Sequence, residues 1–211
     1  MEKNNATARF LRVYYAPLPS VDFHAERLAC EKRKEAVLAL KNEAAQREKF
    51  FVWRLLEYAV RTSTGLDINK INPRLEATGK WVCDGLFFSL SHSDRGIAAA
   101  VSDEPCGVDI EREVPPRDDN FAKKILNEQE MCEYISTPKS ERAALFTEFW
   151  SKKESLFKMG NDSVFSPKKI DTHSSSKALK VTLLGDGYVL SVASKNADAA
   201  EFFLVDCTDL E

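Results

Sequence analysis

The sequence offers little nitrogen or sulfur for a metal. It has three histidines, His24, His92 and His173, and no His-Glu-x-x-His arrangement, which excludes a histidine-rich site. The five cysteines, Cys30, Cys83, Cys106, Cys132 and Cys207, are scattered, odd in number and form no Cys-x-x-Cys pair. Neither a zinc site nor a disulfide framework is expected, and reduced thiols in the cytoplasm are the better reading. There is no basic excess: 30 Lys and Arg stand against 33 Asp and Glu, a net charge of -3. That balance argues against nucleic acid as the main partner and leaves room only for a local basic pocket. No apolar run approaches the roughly 20 residues of a membrane helix. Residues 1–12 are polar and lack the apolar core of a signal peptide, so neither membrane insertion nor secretion is expected. What is present is ordinary globular composition, 44% apolar and 30% charged over 211 residues. This is enough chain to bury a core in one large domain or two small ones.

The apolar and turn patterns predict a mixed α+β chain. A strand is expected over 9–16, broken by Pro17 and Pro19, then helices over 22–40 and 44–61. Two short strands, 86–91 and 97–102, flank the turn Ser93-Asp94-Arg95-Gly96, and 107–111 reads as a further strand. Helices follow over 118–134 and 140–159, stopped by Gly160-Asn161. Strands over 179–184, 188–193 and 201–205 close the chain, the first two joined by the hairpin signal Gly185-Asp186-Gly187. Asp103-Glu104-Pro105 marks a boundary between an N-terminal sub-domain, 1–103, and a C-terminal one, 104–211.

Three segments carry chemistry. In Gly107-Val108-Asp109-Ile110-Glu111, strand alternation puts both carboxylates on one face, with Gly107 leaving room there and Val108 and Ile110 on the other. Two such carboxylates repel unless a cation sits between them, and Mg²⁺ is the hard ion that oxygen ligands suit. The same alternation also describes a strand with a wet acidic face. In the helix Phe149 to Lys158, Lys153 falls in the middle of an apolar stripe, where an ammonium needs an anion or a way out. Glu154 and Lys158 are i, i+4 neighbours, so Lys158 is expected to keep Glu154 ionised; the pair alone also fits an ordinary surface helix. The third segment, Ser89 to Ser93, sets Ser91 and His92 at a strand end, where they suit a phosphate or merely cap a turn. No Gly-x-Ser-x-Gly elbow accompanies Asp94, so a hydrolase triad is discounted. The basic cluster Lys32-Arg33-Lys34, with Arg47 downstream, is interleaved with glutamates.

Taken in order, the Ser-His-Ser, Gly-Val-Asp-Ile-Glu and Trp-x-x-Lys-Glu-Ser-x-x-Lys segments resemble the 4′-phosphopantetheinyl transferases. The chain length resembles the surfactin-synthetase-type branch, whose members are monomers of two similar α+β halves packed as a pseudo-dimer. The resemblance is strongest from Leu90 to Lys158. It implies transfer of the phosphopantetheine arm of coenzyme A to a serine of an apo acyl or peptidyl carrier protein, with release of 3′,5′-ADP. It implies Mg²⁺ held by Asp109, Glu111 and Glu154, with Glu154 also the proposed base, and Lys153 and Lys158 at the phosphates and the catalytic centre. Ser91 and His92, with Lys32 and Arg47, match contacts to coenzyme A, and His92, Arg47 and Lys32 match the 3′-phosphate contacts. Gly79-Lys80 looks like the family's Gly-Lys-Pro segment near the nucleotide, with Trp81 here in place of the proline. Two alternatives use the same residues: a Mg²⁺-dependent hydrolase of phosphate anhydrides, and a non-catalytic coenzyme A-binding module.

Overall fold

The computed structural model describes residues 10–77, 79–160 and 162–211. The chain opens with strand β1 (Leu11–Pro17), then helices α1 (Glu31–Leu38) and α2 (Glu43–Thr64). A two-residue ladder, β2 (Arg74–Leu75) with β3 (Trp81–Val82), precedes the hairpin β4 (Phe87–Ser93) and β5 (Gly96–Ser102). Strand β6 (Cys106–Arg112) leads to helices α3 (Asp119–Ile125), α4 (Glu128–Ser136) and α5 (Arg142–Met159). Strands β7 (Leu179–Leu184), β8 (Tyr188–Ser194) and β9 (Glu201–Leu204) complete the α+β chain. Among the described residues no helix is long and apolar enough to cross a membrane.

The first sheet runs β4-β5-β1-β9 and the second β6-β8-β7. Each sheet is built alike: a strand, one or more helices, then a hairpin whose second strand pairs antiparallel with that first strand. Strand β9 departs from this plan, returning from the second half to pair in parallel with β1. Alternation along β1 makes the layers. Tyr14 and Ala16 face a core with α2, while Leu11 and Val13 face Val108, Ile110, Leu190 and Val192 of the second sheet. Strand β5 is buried throughout, and Ala98 and Ala100 let the two sheets close on each other.

Several expected boundaries move for physical reasons. The helix expected over 22–40 is only a 3-10 turn, Ala25–Arg27, followed by α1. Its buried positions include Leu28 and Cys30, a two-residue step that one helical face cannot satisfy, and both residues are extended. The helix expected over 118–134 is split, because Asn127 starts α4 in a reciprocal capping box with Glu130. Of the expected positions, Arg9 and Asn161 lie outside the described residues. The tight turn after β7 holds Asp186 and Gly187 at φ 61° and 74°, the left-handed backbone that its residue types tolerate.

Candidate active site

The edge strands β4 and β6 lie side by side without pairing as a backbone ladder, and serine hydroxyls stitch them together. Ser89 Oγ accepts from the Val108 N–H at 3.0 Å and Ser91 Oγ from the Ile110 N–H at 3.2 Å. One residue pair further on, Ser93 Oγ donates to Glu111 at 2.5 Å. The period of two in Ser89-x-Ser91-x-Ser93 therefore serves one face, the face toward β6. The Ser89 and Ser91 hydroxyls satisfy amides that an edge strand would otherwise leave unpaired.

Helix α5 closes the site from the other side. It lies directly over Gly107, where a β-carbon would meet the Ser155 carbonyl oxygen at 2.0 Å. That contact brings the last turns of α5 beside the acidic face of β6. Lys158 Nζ lies 2.7 Å from Asp109 Oδ1, 3.1 Å from Ser91 Oγ and 3.8 Å from Glu154 Oε2. Ser91 Oγ also donates to Asp109 Oδ1 at 2.9 Å, so this hydroxyl uses its one proton and both lone pairs. Asp109 is buried, and its second oxygen, Oδ2, is also buried with no hydrogen-bond partner. Glu111 accepts from Ser93 and, at 3.3 Å, from Trp150 Nε1.

The electrostatics follow from this crowding. Burial, reinforced by the Asp109 charge, pushes the Glu111 carboxyl up to about 7. Burial also raises Glu154, and the nearby Lys158 offsets this only in part. This corrects the expectation that Lys158 would simply hold Glu154 ionised: its shorter contact is to Asp109. His92, at the end of β4, is held below the usual imidazole range, first by partial burial and then by Lys158, Arg33 and Lys49, against the pull of Glu48.

Six of the residues marked from sequence, Ser91, His92, Asp109, Glu111, Glu154 and Lys158, lie at this join or at its edge. The others are placed differently. Lys153 is fully buried on another face of α5, 2.7 Å from Glu130, and donates to the carbonyls of Pro167 and Ile170 at 3.0 and 2.5 Å. The anion that its apolar stripe demanded is thus an internal one. Arg47 donates to the carbonyls of Pro19 and Val21 and lies over Phe23, fastening that segment to α2. Lys32 is exposed on the first turn of α1. Lys80 donates to the carbonyls of Lys158 and Gly160, both at 3.0 Å, at the C-terminal end of α5. The sequence reading missed Ser93, Trp150 and Glu130. The first lies on the face its period of two marks, and the last on an Asn-x-x-Glu capping pattern.

A cleft of about 550 Å³ runs from Gly79-Lys80-Trp81 past Phe88, Ser89 and Leu90 to Phe157 and Lys158. Lys158 is the converging residue that lines it, so one end comes near Asp109, 2.7 Å from that ammonium; none of the three carboxylates lines the cleft itself, whereas Glu76 and Asp162 do. A larger cleft, about 820 Å³, lies between Pro17–Val21 and Leu183–Asp186 and touches none of the six converging residues. Among the described residues, Glu130, Asp171 and His173 bring ligand atoms within 4.8 Å of one another. Glu130 is already saturated there by Lys153, Thr172 and the Asn127 amide, so that group reads as structural.

Residues 105–202 match the family model of the 4′-phosphopantetheinyl transferase superfamily. A 4′-phosphopantetheinyl transferase of Bacillus pumilus, psf-1, is 28% identical over 160 residues, covering 71% of this chain and 68% of that one. One from Bacillus subtilis is 30% identical over 138 residues, covering 64% of this chain and 58% of its own length. Sfp of Bacillus subtilis strain 168 is 34% identical over 71 residues, 34% of this chain and 31% of its own.

Proposed function

We propose that the chain, which resembles the 4′-phosphopantetheinyl transferase superfamily over residues 105–202 and the surfactin-synthetase-type branch in its relatives, moves the phosphopantetheine arm of coenzyme A to a serine of an apo acyl or peptidyl carrier protein. The observation that carries this reading is the convergence of Asp109, Glu111, Glu154 and Lys158 beside the 550 Å³ cleft, within the matched segment. The carrier serine hydroxyl attacks the β-phosphorus, the phosphoanhydride bond breaks, and 3′,5′-ADP leaves.

Among the described residues only Glu130, Asp171 and His173 already bring ligand atoms within 4.8 Å of one another, so Asp109, Glu111 and Glu154 would hold a hard cation by closing in on it. Their donors are all carboxylate oxygens, and Asp109 Oδ2 is a buried acceptor without a partner. When bound there, Mg²⁺ supplies neutralisation of the charge on the pyrophosphate. The chain's own groups do the rest. Ser91 orients Asp109, and Ser93 with Trp150 orients Glu111. Lys158 neutralises Asp109 before the substrate arrives and presents its ammonium to the phosphates beside it. Glu154, raised by burial, accepts the proton of the serine hydroxyl.

In this reading residues 1–103 place the nucleotide end, through His92 and the basic residues of α1 and α2, and 104–211 supply the metal and the base. The like topology of the two sheets supports a pseudo-dimer of two halves within a monomer. Five free cysteines support a reducing compartment, the cytoplasm.

The test is mass spectrometry of a panel of apo carrier proteins after incubation with coenzyme A and Mg²⁺. A transferase adds phosphopantetheine to at least one carrier and releases 3′,5′-ADP only in its presence. Release without carrier would make the protein an anhydride hydrolase, and binding with neither product would make it a coenzyme A-binding module.

A further inference from the structure

The acidic residue Glu48 sits where the surrounding charge is positive. Its Oε2 lies 3.4 Å from His92 Nδ1, and the two side chains are 29% and 38% exposed, so a ligand can reach both. Lys158, Arg33 and Lys49 are all close enough to depress the His92 pKa. Arg33 is immobile: it is buried, donates to the Lys49 carbonyl at 2.6 Å and lies over the Trp53 ring. Its charge therefore stays whether or not a ligand is bound. Of the basic residues that the sequence marks for the 3′-phosphate, Arg47 is engaged by Pro19, Val21 and Phe23, and Lys32 is exposed on α1. His92 is the marked residue beside which an anion already stands, and that anion is Glu48.

We propose that Glu48 is a specificity-determining residue that competes with the 3′-phosphate of coenzyme A for His92 and so narrows the preference for coenzyme A over dephospho-coenzyme A. This rests on the transferase reading and on His92 standing at the nucleotide end. The physical reason is like-charge repulsion: a phosphate entering beside His92 meets the Glu48 carboxylate and must displace it, whereas a nucleotide lacking that phosphate does not. The opposite role, with Glu48 orienting His92 to help it hold phosphate, predicts the reverse effect.

Calorimetric titration of 3′,5′-ADP and 5′-AMP into the wild-type protein and Glu48→Gln separates the two. The side chains are nearly isosteric and the site is half-exposed on a helix, so the variant is expected to fold; Glu48→Ala is the second variant. The expected result is that 3′,5′-ADP binds about tenfold more tightly in both variants, one decade per 1.4 kcal/mol, while 5′-AMP is unchanged. The gain should shrink at high salt, because the repulsion removed is partly screened there. No change, weaker 3′,5′-ADP binding, or equal tightening of both nucleotides overturns the role of Glu48. Carrier loading measured alongside keeps the two readings apart. Selective tightening with no carrier loaded overturns the transfer reading and upholds Glu48, and loading without selective tightening does the reverse. Failure to bind either nucleotide overturns both.

Discussion

Gly107 lies so close beneath α5 that a β-carbon on it would stand 2.0 Å from the Ser155 carbonyl oxygen and 2.5 Å from the Met159 amide nitrogen. Both neighbours are backbone, so neither can swing aside. The helix they belong to carries Glu154 and Lys158 toward Asp109 on the strand below. Gly107→Ala must therefore push α5 off β6. It is expected to cost about 1–3 kcal/mol of stability, as overpacking does. Carrier loading, measured where the variant remains folded, should fall further than that loss accounts for. Chemical denaturation together with a loading assay checks both, and wild-type stability would show that the helix has room to spare.

Glu154→Gln separates a base from a mere ligand. An amide oxygen coordinates a cation weakly but accepts no proton at neutral pH. Loss of a general base costs 10²–10⁴-fold in rate, so we expect a loss of at least ~100-fold that persists at saturating Mg²⁺. Single-turnover loading across a Mg²⁺ series is the measurement. Full recovery at high Mg²⁺ would leave Glu154 as a ligand only.

Stability of the metal-free protein should fall with rising pH through Glu111. Its carboxyl is raised in the fold from 4.5 to about 7, chiefly by burial and then by Asp109. A raised carboxyl favours the protonated folded state, so its contribution is complete below 4.5 and lost as the pH rises through about 7. Glu111→Gln removes that dependence. In chelator, the melting temperature of the wild type should drop toward neutral pH relative to the variant; parallel curves would show that Glu111 titrates as an ordinary carboxylate.

The buried pair of Lys153 and Glu130 should matter for folding more than for chemistry. Removing one partner leaves a charge buried alone, which costs roughly 3–5 kcal/mol, whereas replacing both with apolar residues is often neutral. Lys153→Met is thus expected to be severely destabilised, and Lys153→Met combined with the neutral Glu130→Gln to recover part of the loss, since the amide oxygen can still accept from Thr172. The folded double variant should still load carrier. A stable double variant without activity would return Lys153 to the phosphates.

Much of the site was legible because it is local. Asp109 and Glu111 share a face by strand alternation, and Glu154 and Lys158 share one by helical spacing; both follow from backbone geometry alone. Ser89, Ser91 and Ser93 carried the same period of two, although nothing nearby in sequence said what their hydroxyls would bond. The split at Asn127 was not anticipated, although Asn127 and Glu130 stand in the spacing of a capping box. The shortened α1 was not legible either, because good helix-forming residues over 22–40 conceal the buried two-residue step at Leu28 and Cys30.

The sequence by itself determined the α+β class and the order of the main strands and helices, though not the β2–β3 ladder or the break between α3 and α4. The tertiary structure decided the partners. Lys153 and Glu154 are neighbours in one helix, yet one ends in a sealed ion pair with Glu130 and the other beside Asp109. Their spacing turns them onto different faces of the helix but does not say what each face will meet. The difference arises because α5 is pressed onto β6 at Gly107 on one side and covered by α4 and the 167–172 segment on another. Side-chain charges at long sequence separation find each other only through such packing, and that is also how Glu48 comes to face His92 across 44 positions of chain.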